Sequence, residues 1–251
     1  MSNLPNTPTP QPAPARSGGS GKLLLIGAIG CLGVLLLGGC IIAGAFAYFA
    51  ASSPTVITSS SSVARGDGTV YTNEAGHLNA GLRANFVPFT FEYPSGWNVV
   101  SRGDAADDSN FVKIEKQDAS RSTIANFAVG WFSGAGTLAR DKTLYASLAD
   151  QLSEQFSAGF SNFTKTGSGS VTINDYDAYQ MLFTARATDP DDKSVTPILG
   201  RVILISGGNA GLKNGVVLVM LATDKSGMTD PSQLGESGDL GAILDSFELG
   251  K

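Results

Sequence analysis

The residues with the greatest capacity for chemistry in this 251-residue chain are two clusters of aspartates. The clusters are Asp104, Asp107 and Asp108, and Asp189, Asp191 and Asp192 around Pro190. Carboxylate oxygens are ligands that calcium prefers, and a calcium ion takes about six to eight of them. Neither cluster has the glycine and the terminal glutamate of an EF-hand loop, and aspartate beside proline also suits a simple turn. We therefore expect solvated turns, with calcium binding as the alternative.

Side chains that serve as nucleophiles, bases or soft metal ligands are scarce. Cys31 and Cys40 are the only cysteines, and His77 is the only histidine. Serine–histidine and cysteine–histidine catalysis needs an imidazole base, and zinc sites need histidine or cysteine. A serine–lysine pair or a two-carboxylate site stays open, because such residues need only meet in space. We predict no enzymatic activity and no catalytic, cofactor or metal residues, with an unrecognised hydrolase site as the alternative.

An uncharged stretch of 29 residues, 23–51, organises the chain. A helix crosses the hydrocarbon core of a bilayer with roughly 20 apolar residues. The stretch is therefore predicted to be a transmembrane helix, since a cleaved signal has an apolar core of only about 7–15 residues. A second alternative is a lipoprotein, because Leu37-Gly38-Gly39-Cys40 resembles the motif before a lipidated cysteine. The apolar residues that follow Cys40 favour the spanning helix.

The charges that flank this stretch predict its orientation. Arg16 and Lys22 precede it, whereas the first basic residue after it is Arg65, beside Asp67. Cytoplasmic flanks carry the excess of lysine and arginine. The N-terminus is therefore predicted to be cytoplasmic and the rest of the chain extracytoplasmic at the cell membrane.

Composition divides the chain into four parts. Residues 1–22 are predicted to be a disordered Pro/Gly/Ser-rich leader, 23–51 the span, 52–85 a flexible Ser/Thr/Gly linker, and 86–251 the folded domain. Residues 23–251 carry a formal charge of −7, which argues against a nucleic-acid partner. The expected partners are the lipid bilayer and a membrane-associated protein. The oligomeric state stays open, because the small-residue spacing of Gly39, Ala43 and Ala47 is common in membrane spans.

The hydrophobic pattern of 86–251 predicts an α+β fold. Aromatic residues alternate from Phe89 to Tyr93, as in a half-buried strand, and apolar residues recur every four positions over 143–158, as in an amphipathic helix. The nearly all-apolar 216–224 fits a central strand, and 238–249 fits a closing helix. Further strands are predicted near 97–99, 111–116, 124–132, 170–173, 178–188 and 198–206. The short links favour a mostly antiparallel sheet covered by helices.

Four segments in this order resemble the PsbP/Mog1-like family. Tyr93–Trp97 (YPSGW) is similar to its Pro-x-x-Trp opening, and Asn174–Tyr179 (NDYDAY) is similar to the entry of a later strand. Val216–Thr223 followed by Ile243–Phe247 (ILDSF) resembles the final strand and helix. The resemblance covers about 86–249 and implies a sheet sandwiched between helices.

The functions that this resemblance implies differ between branches of the family. Plant members are lumenal subunits that help photosystem II retain calcium and chloride, the Mog1 branch binds a small nuclear GTPase, and many bacterial relatives are anchored in membranes. The domain has no histidine, and the predicted orientation conflicts with a nuclear partner. The prediction is a single-pass, extracytoplasmic, non-enzymatic binding or accessory domain, with a photosystem II accessory protein as the alternative.

Overall fold

The structure is a computed structural model that describes residues 63–65, 68–100, 110–189 and 193–250. The strands in these ranges are β1 (Val63–Arg65), β2 (Gly68–Thr72), β3 (Phe89–Pro94), β4 (Trp97–Val99), β5 (Asn110–Gln117), β6 (Thr123–Phe132), β7 (Ser161–Ile173), β8 (Tyr176–Thr188), β9 (Val195–Ile205), β10 (Gly215–Thr223) and β11 (Glu248–Leu249). The helices are α1 (Ala80–Ala84), α2 (Leu138–Gly159) and α3 (Gly238–Asp245), with short 3₁₀ turns between elements.

Seven strands form one antiparallel sheet in the order β4-β5-β6-β10-β9-β8-β7. Strand β10 lies at its centre, where Leu221 is opposite Asn126 of β6 and Gly200 of β9. All nine residues of β10 are buried, as its apolar run predicts for a strand covered on both faces.

The two faces of this sheet bury separate cores. On one face α2 packs its apolar stripe, and the ring of Phe156 lies 5.0 Å from that of Phe183 in β8. On the other face lie α3 and a four-stranded sheet of order β1-β2-β3-β11. The prediction of an α+β fold with a mostly antiparallel sheet is confirmed. The second covering layer differs from the expected layer of helices, because aromatic strands supply much of it.

The folded domain begins before residue 86, so the prediction of a flexible linker over 52–85 is wrong for residues 68–85. Strand β2 pairs with β3 over its whole length, and the ring of Tyr71 stacks on that of Phe91 at 5.2 Å. In α1 the side chain of Leu82 is fully buried, and the Asn79 side chain accepts a hydrogen bond from the Leu82 N–H at 2.9 Å. The apolar residues of this segment are too few to show a period, but Tyr71, Leu78 and Leu82 are buried in the core.

Two helix boundaries differ from those that the apolar pattern predicts. Helix α2 begins at Leu138 rather than at 143, and α3 ends at Asp245 rather than at 249. The chain then turns at Ser246, and Leu249 pairs with Phe89 in the small sheet. The ring of Phe247 lies 5.6 Å from that of Phe89, so its apolar spacing reflects core packing after the helix has ended.

None of the helices within the described ranges is both long and apolar enough to span a bilayer. The predicted leader (1–22) and span (23–51), with Cys31 and Cys40, lie outside those ranges. The membrane anchor, the lipoprotein alternative and the orientation therefore stay predictions.

Candidate functional site

The predicted calcium clusters fall mostly outside the described residues. Asp104, Asp107 and Asp108 lie there entirely, as do Asp191 and Asp192. The backbone N–H of Asp189 donates to the carbonyl of Ser194 at 2.9 Å, and that of Lys193 donates to the carbonyl of Asp189 at 3.1 Å. These two bonds join the described ends of the link between β8 and β9. Among the residues that the structure describes, no three histidine, cysteine or acidic side chains are grouped to hold a metal, and calcium binding stays a prediction.

The only histidine of the chain belongs to a surface turn. His77 ends the 3₁₀ turn Ala75–His77, and its Nε2 lies 3.2 Å from Oε2 of Glu74. Both side chains are about half exposed. This arrangement is an ordinary i,i+3 surface pair.

A buried network of polar side chains joins the start of α2 to the end of β9. Oδ1 of Asp141 accepts a hydrogen bond from the Ala135 N–H at 2.5 Å, and its Oδ2 accepts one from the hydroxyl of Ser206. The hydroxyl of Tyr145 accepts from the Ser206 N–H at 2.9 Å and donates to the Asp177 carbonyl at 3.2 Å. Burial raises the pKa of Tyr145 to about 12. The Ser206 hydroxyl donates to a carboxylate, with no imidazole between them, so these residues act as a structural tie.

Glu115 is a buried carboxyl group with few hydrogen bonds to offset the loss of its hydration. Its side chain is 4% exposed, and Oε1 accepts a hydrogen bond from Nε2 of Gln117 at 2.7 Å. Within the described ranges, Oε2 has no hydrogen-bond partner. Its direct neighbours across the sheet are Asn98 and Asn126, which are both neutral. Burial therefore raises the pKa of Glu115 to about 7, against the smaller lowering effect of the Gln117 hydrogen bond.

A buried arginine fastens the segment before α3 to the large sheet. Arg201 of β9 is 3% exposed, and its Nη1 donates to the Leu234 carbonyl at 2.7 Å and to Oε1 of Glu236 at 2.6 Å. Its Nε has no partner in the part of the chain that the structure describes. Glu236 is largely exposed, so the arginine reaches outward to its counter-charge from the core.

The segments that carry the family resemblance meet in the structure and hold it together. Nδ2 of Asn174, in the turn between β7 and β8, donates to the carbonyls of Leu244 and Phe247 at 2.7 and 3.0 Å. The hydroxyl of Ser246 accepts a hydrogen bond from the Glu92 N–H of β3 at 2.8 Å. These motif residues therefore have structural roles: they join the β7–β8 turn and β3 to the segment at the end of α3.

The main surface suited to a partner is the outer edge of the seven-stranded sheet. Strand β7 is 13 residues long and is hydrogen-bonded only to β8 among the described strands. Most of its residues are exposed. Its one charged residue, Lys165, lies 2.7 Å from Asp150 of α2. A long edge strand presents a row of backbone donors and acceptors, to which an extended segment adds as a further strand.

Irregularities interrupt only the first half of this edge. The pairing of β7 with β8 shifts register between Ser161 and Thr164 and again between Lys165 and Gly167. From Gly167 to Ile173 the pairing is continuous, and this stretch has neither charge nor proline. Bulges, charges and prolines are common devices that protect an edge strand, and residues 168–173 have none of these three.

The sequence pattern predicted a strand only over 170–173. The segment SNFTKTGSGS before it is mostly small and polar, and an edge strand with exposed side chains shows little apolar alternation. The usable signal is the two-residue turn Asn174-Asp175, where φ is +48° and +66°. A two-residue turn of this kind sets two strands antiparallel to each other, so it indicates that the segment before Asn174 pairs with β8.

Comparison with solved structures finds proteins similar to this chain. Cyanobacterial PsbP from Synechocystis matches with a TM-score of 0.41 and 13% identity, over 79% of this chain and 98% of its own. The Ran-binding protein Mog1p of Saccharomyces cerevisiae matches with 0.40 and 13%, over 64% and 89%. LpqN of Mycobacterium tuberculosis, involved in cell envelope biogenesis, matches with 0.42 and 11%, over 73% and 92%.

The PsbP/Mog1-like resemblance of the sequence is thus found again between structures. No family model matches the sequence, and no curated protein matches it either. Identities of 11–13% and TM-scores of 0.40–0.42 record a likeness. No partner or activity of those proteins is carried over to this chain on that likeness.

Proposed function

We propose that this chain is a single-pass, membrane-anchored, extracytoplasmic binding or accessory domain without catalytic activity, which holds a protein partner along β7. The observation that carries the proposal is the continuous, uncharged and exposed edge from Ser168 to Thr172. Backbone pairing supplies affinity along such an edge without any pocket.

The charge distribution supports a protein partner at the outer face of the membrane. The formal charge of −7 over residues 23–251 repels nucleic acid and anionic headgroups alike. Arg16 and Lys22 before the predicted span favour a cytoplasmic N-terminus. The bilayer then serves as the anchor, and the protein partner binds the domain.

The test is photocrosslinking of the full chain in intact membranes. A benzophenone amino acid replaces Ser170 on the edge in one variant and Ser147, which is also exposed and lies on α2, in another. We expect a discrete light-dependent protein adduct from position 170 and none from position 147. Absence of an adduct from 168, 170 and 172 alike overturns the proposed function.

Placement is tested separately by adding protease to cells and then to permeabilised cells. Digestion of the domain from outside, with the leader protected, supports the predicted orientation, and the reverse pattern overturns it. Mass measurement of Cys40 distinguishes a spanning helix from a lipid anchor.

A further inference from the structure

We propose that the partner along β7 is a second copy of this chain, joined by antiparallel pairing of the two β7 edges across a two-fold axis at Ser170. This inference rests on the proposed function, because it names the protein that occupies the same edge. The result would be one sheet that continues through both copies, with each contact made twice.

The register follows from the geometry of the edge. Residues that are paired across an antiparallel ladder must lie on the same face of the sheet, so a two-fold axis normal to the sheet passes midway between one residue and the same residue of the other copy. The bulges exclude the stretch before Gly167 from regular pairing, and Ile173 adjoins the hairpin turn. An axis midway between the Ser170 residues of the two copies pairs the most residues of the regular stretch. Ser168 of one copy is then opposite Thr172 of the other, Gly169 is opposite Val171, and the two Ser170 residues are opposite each other.

The side chains brought together by this register are compatible. Ser168, Ser170 and Thr172 are exposed and lie on the α2 face, since Ser168 is opposite Met181 of β8, whose side chain packs in the α2 core. Pairing aligns the hydroxyls of the two copies in one row, and Ser–Thr pairs of this kind stabilise sheets by hydrogen bonding.

Charge also permits a second copy at this edge in particular. Two domains of net negative charge repel at long range, but ionic screening limits that repulsion to about 8 Å at physiological salt. No residue from Thr166 to Ile173 is charged, and Lys165 is already paired with Asp150. Like charges therefore do not face each other across the regular stretch.

The chain that precedes the domain raises the local concentration of copies. Residues 23–51 are predicted to span the membrane, which confines every copy to the same plane with its domain on the same side. Confinement raises the effective concentration of the domains, so that even a weak edge-to-edge contact is populated.

Disulfide trapping in membranes tests the register with the full chain. The described domain has no cysteine, and the parent chain with Cys31 and Cys40 gives the background. Directly opposite residues lie about 4.5–5.5 Å apart between Cα atoms, within the range for a disulfide. We expect Ser170→Cys to give a disulfide-linked species of twice the mass under mild oxidation, and Ser147→Cys to give only background.

Two differently tagged chains sharpen the test. Ser168→Cys in one chain and Thr172→Cys in the other should link, whereas Ser168→Cys in both should not, because those positions are four residues out of register. Adding Ser170→Lys to the linking pair places two ammonium groups opposite each other and should lower the yield about two- to fivefold. The matched change Ser147→Lys should leave the yield unchanged.

The outcomes separate this inference from the proposed function. Linkage only in the expected pairs supports the two-fold pairing. Absence of these disulfides, with a photoadduct of a different protein at position 170, overturns the pairing and leaves the proposed function standing. Absence of both overturns both, provided that the emission of Trp97 and Trp131 shows each variant to be folded.

Discussion

Nε1 of Trp97 donates a hydrogen bond to Oδ2 of Asp239 at 2.9 Å and so joins strand β4 to helix α3, 142 residues later in the chain. The same oxygen accepts a hydrogen bond from Nζ of Lys116 at 2.7 Å. The two bonds lower the pKa of Asp239, with that from Lys116 having the larger effect. One carboxylate thus connects the large sheet to the layer that covers it.

Asp239→Ala should lower the free energy of unfolding by about 2 kcal/mol, because it leaves the indole N–H of Trp97 buried without an acceptor. Because the pKa is lowered in the folded state, this contribution is present at neutral pH and is lost as the pH falls through the carboxyl range. Urea unfolding measures it by tryptophan emission, which reports on the domain because both tryptophans lie there. The exposed Asp245→Ala should change stability by no more than about 0.5 kcal/mol.

Replacement of Glu115 by glutamine should stabilise the protein at alkaline pH. The folded-state pKa of about 7 lies above the ordinary value of 4.5, so the folded protein holds a proton that the unfolded chain releases between these values. Stability therefore falls as the pH rises through this window. At pH 8 the cost is about 3 kcal/mol, at about 1.4 kcal/mol per pH unit, and glutamine removes it.

Urea midpoints at pH 5 and pH 8 check this prediction. The parent protein should lose stability between the two, whereas Glu115→Gln should lose much less. Glu154→Gln, at an exposed position on α2, should follow the parent curve. Parallel curves for the parent and Glu115→Gln would contradict the role of burial at this carboxyl.

Asp141→Ala should be among the more destabilising changes in the domain, with a loss of about 3 kcal/mol. The substitution leaves the Ser206 hydroxyl and the Ala135 N–H without the carboxylate that accepts from both. Asp150→Ala, on the exposed face of the same helix, removes only the surface pair with Lys165 and should cost less than about 1 kcal/mol. Equal losses for the two variants, measured by urea unfolding, would show that burial does not matter here.

Variants of Asn174 separate its turn conformation from its side-chain bonds. Asn174→Gly keeps the favourable positive φ but loses the bonds to the carbonyls of Leu244 and Phe247, and should cost about 1–2 kcal/mol. Asn174→Asp should cost more, because it directs a carboxylate at two carbonyl oxygens. Asp175→Gly, at the next turn position with φ of +66°, should be neutral or stabilising. Thermal unfolding suffices to rank the three variants.

The elements that could be predicted from the sequence are those with a repeating apolar face. The stripe from Leu144 to Phe156 locates α2, because one-sided burial leaves a helical period. The run from Val216 to Thr223 locates β10, because burial on both faces leaves a continuous apolar run. Strand β7 leaves little period, since its side chains are mostly exposed. Strand β2 has a single buried residue, Tyr71, and one buried residue among polar neighbours shows no period.

The buried charges could not be predicted for a different reason. In the alternation of β5, Glu115 falls on the side opposite Ile114 and resembles a solvent-facing residue. It is buried because that side also belongs to a covered sheet, which is a property of the assembled layers. The partners of Asp141 and Arg201 are likewise 33–65 residues away, except for the nearby Ala135.

Under the proposed membrane anchor, the pairing of β1 with β2 would limit how far the domain can stand from the bilayer. Val63 is opposite Val70, so the chain joins the small sheet at residue 63. With a span that ends at Ala51, residues 52–62 are all that connects the two. Eleven residues reach at most about 40 Å when fully extended, roughly the thickness of the bilayer itself. If the chain is anchored as proposed, the point at which it enters the domain would stay within that distance of the bilayer, and lengthening 52–62 with a Gly/Ser insert should extend that range.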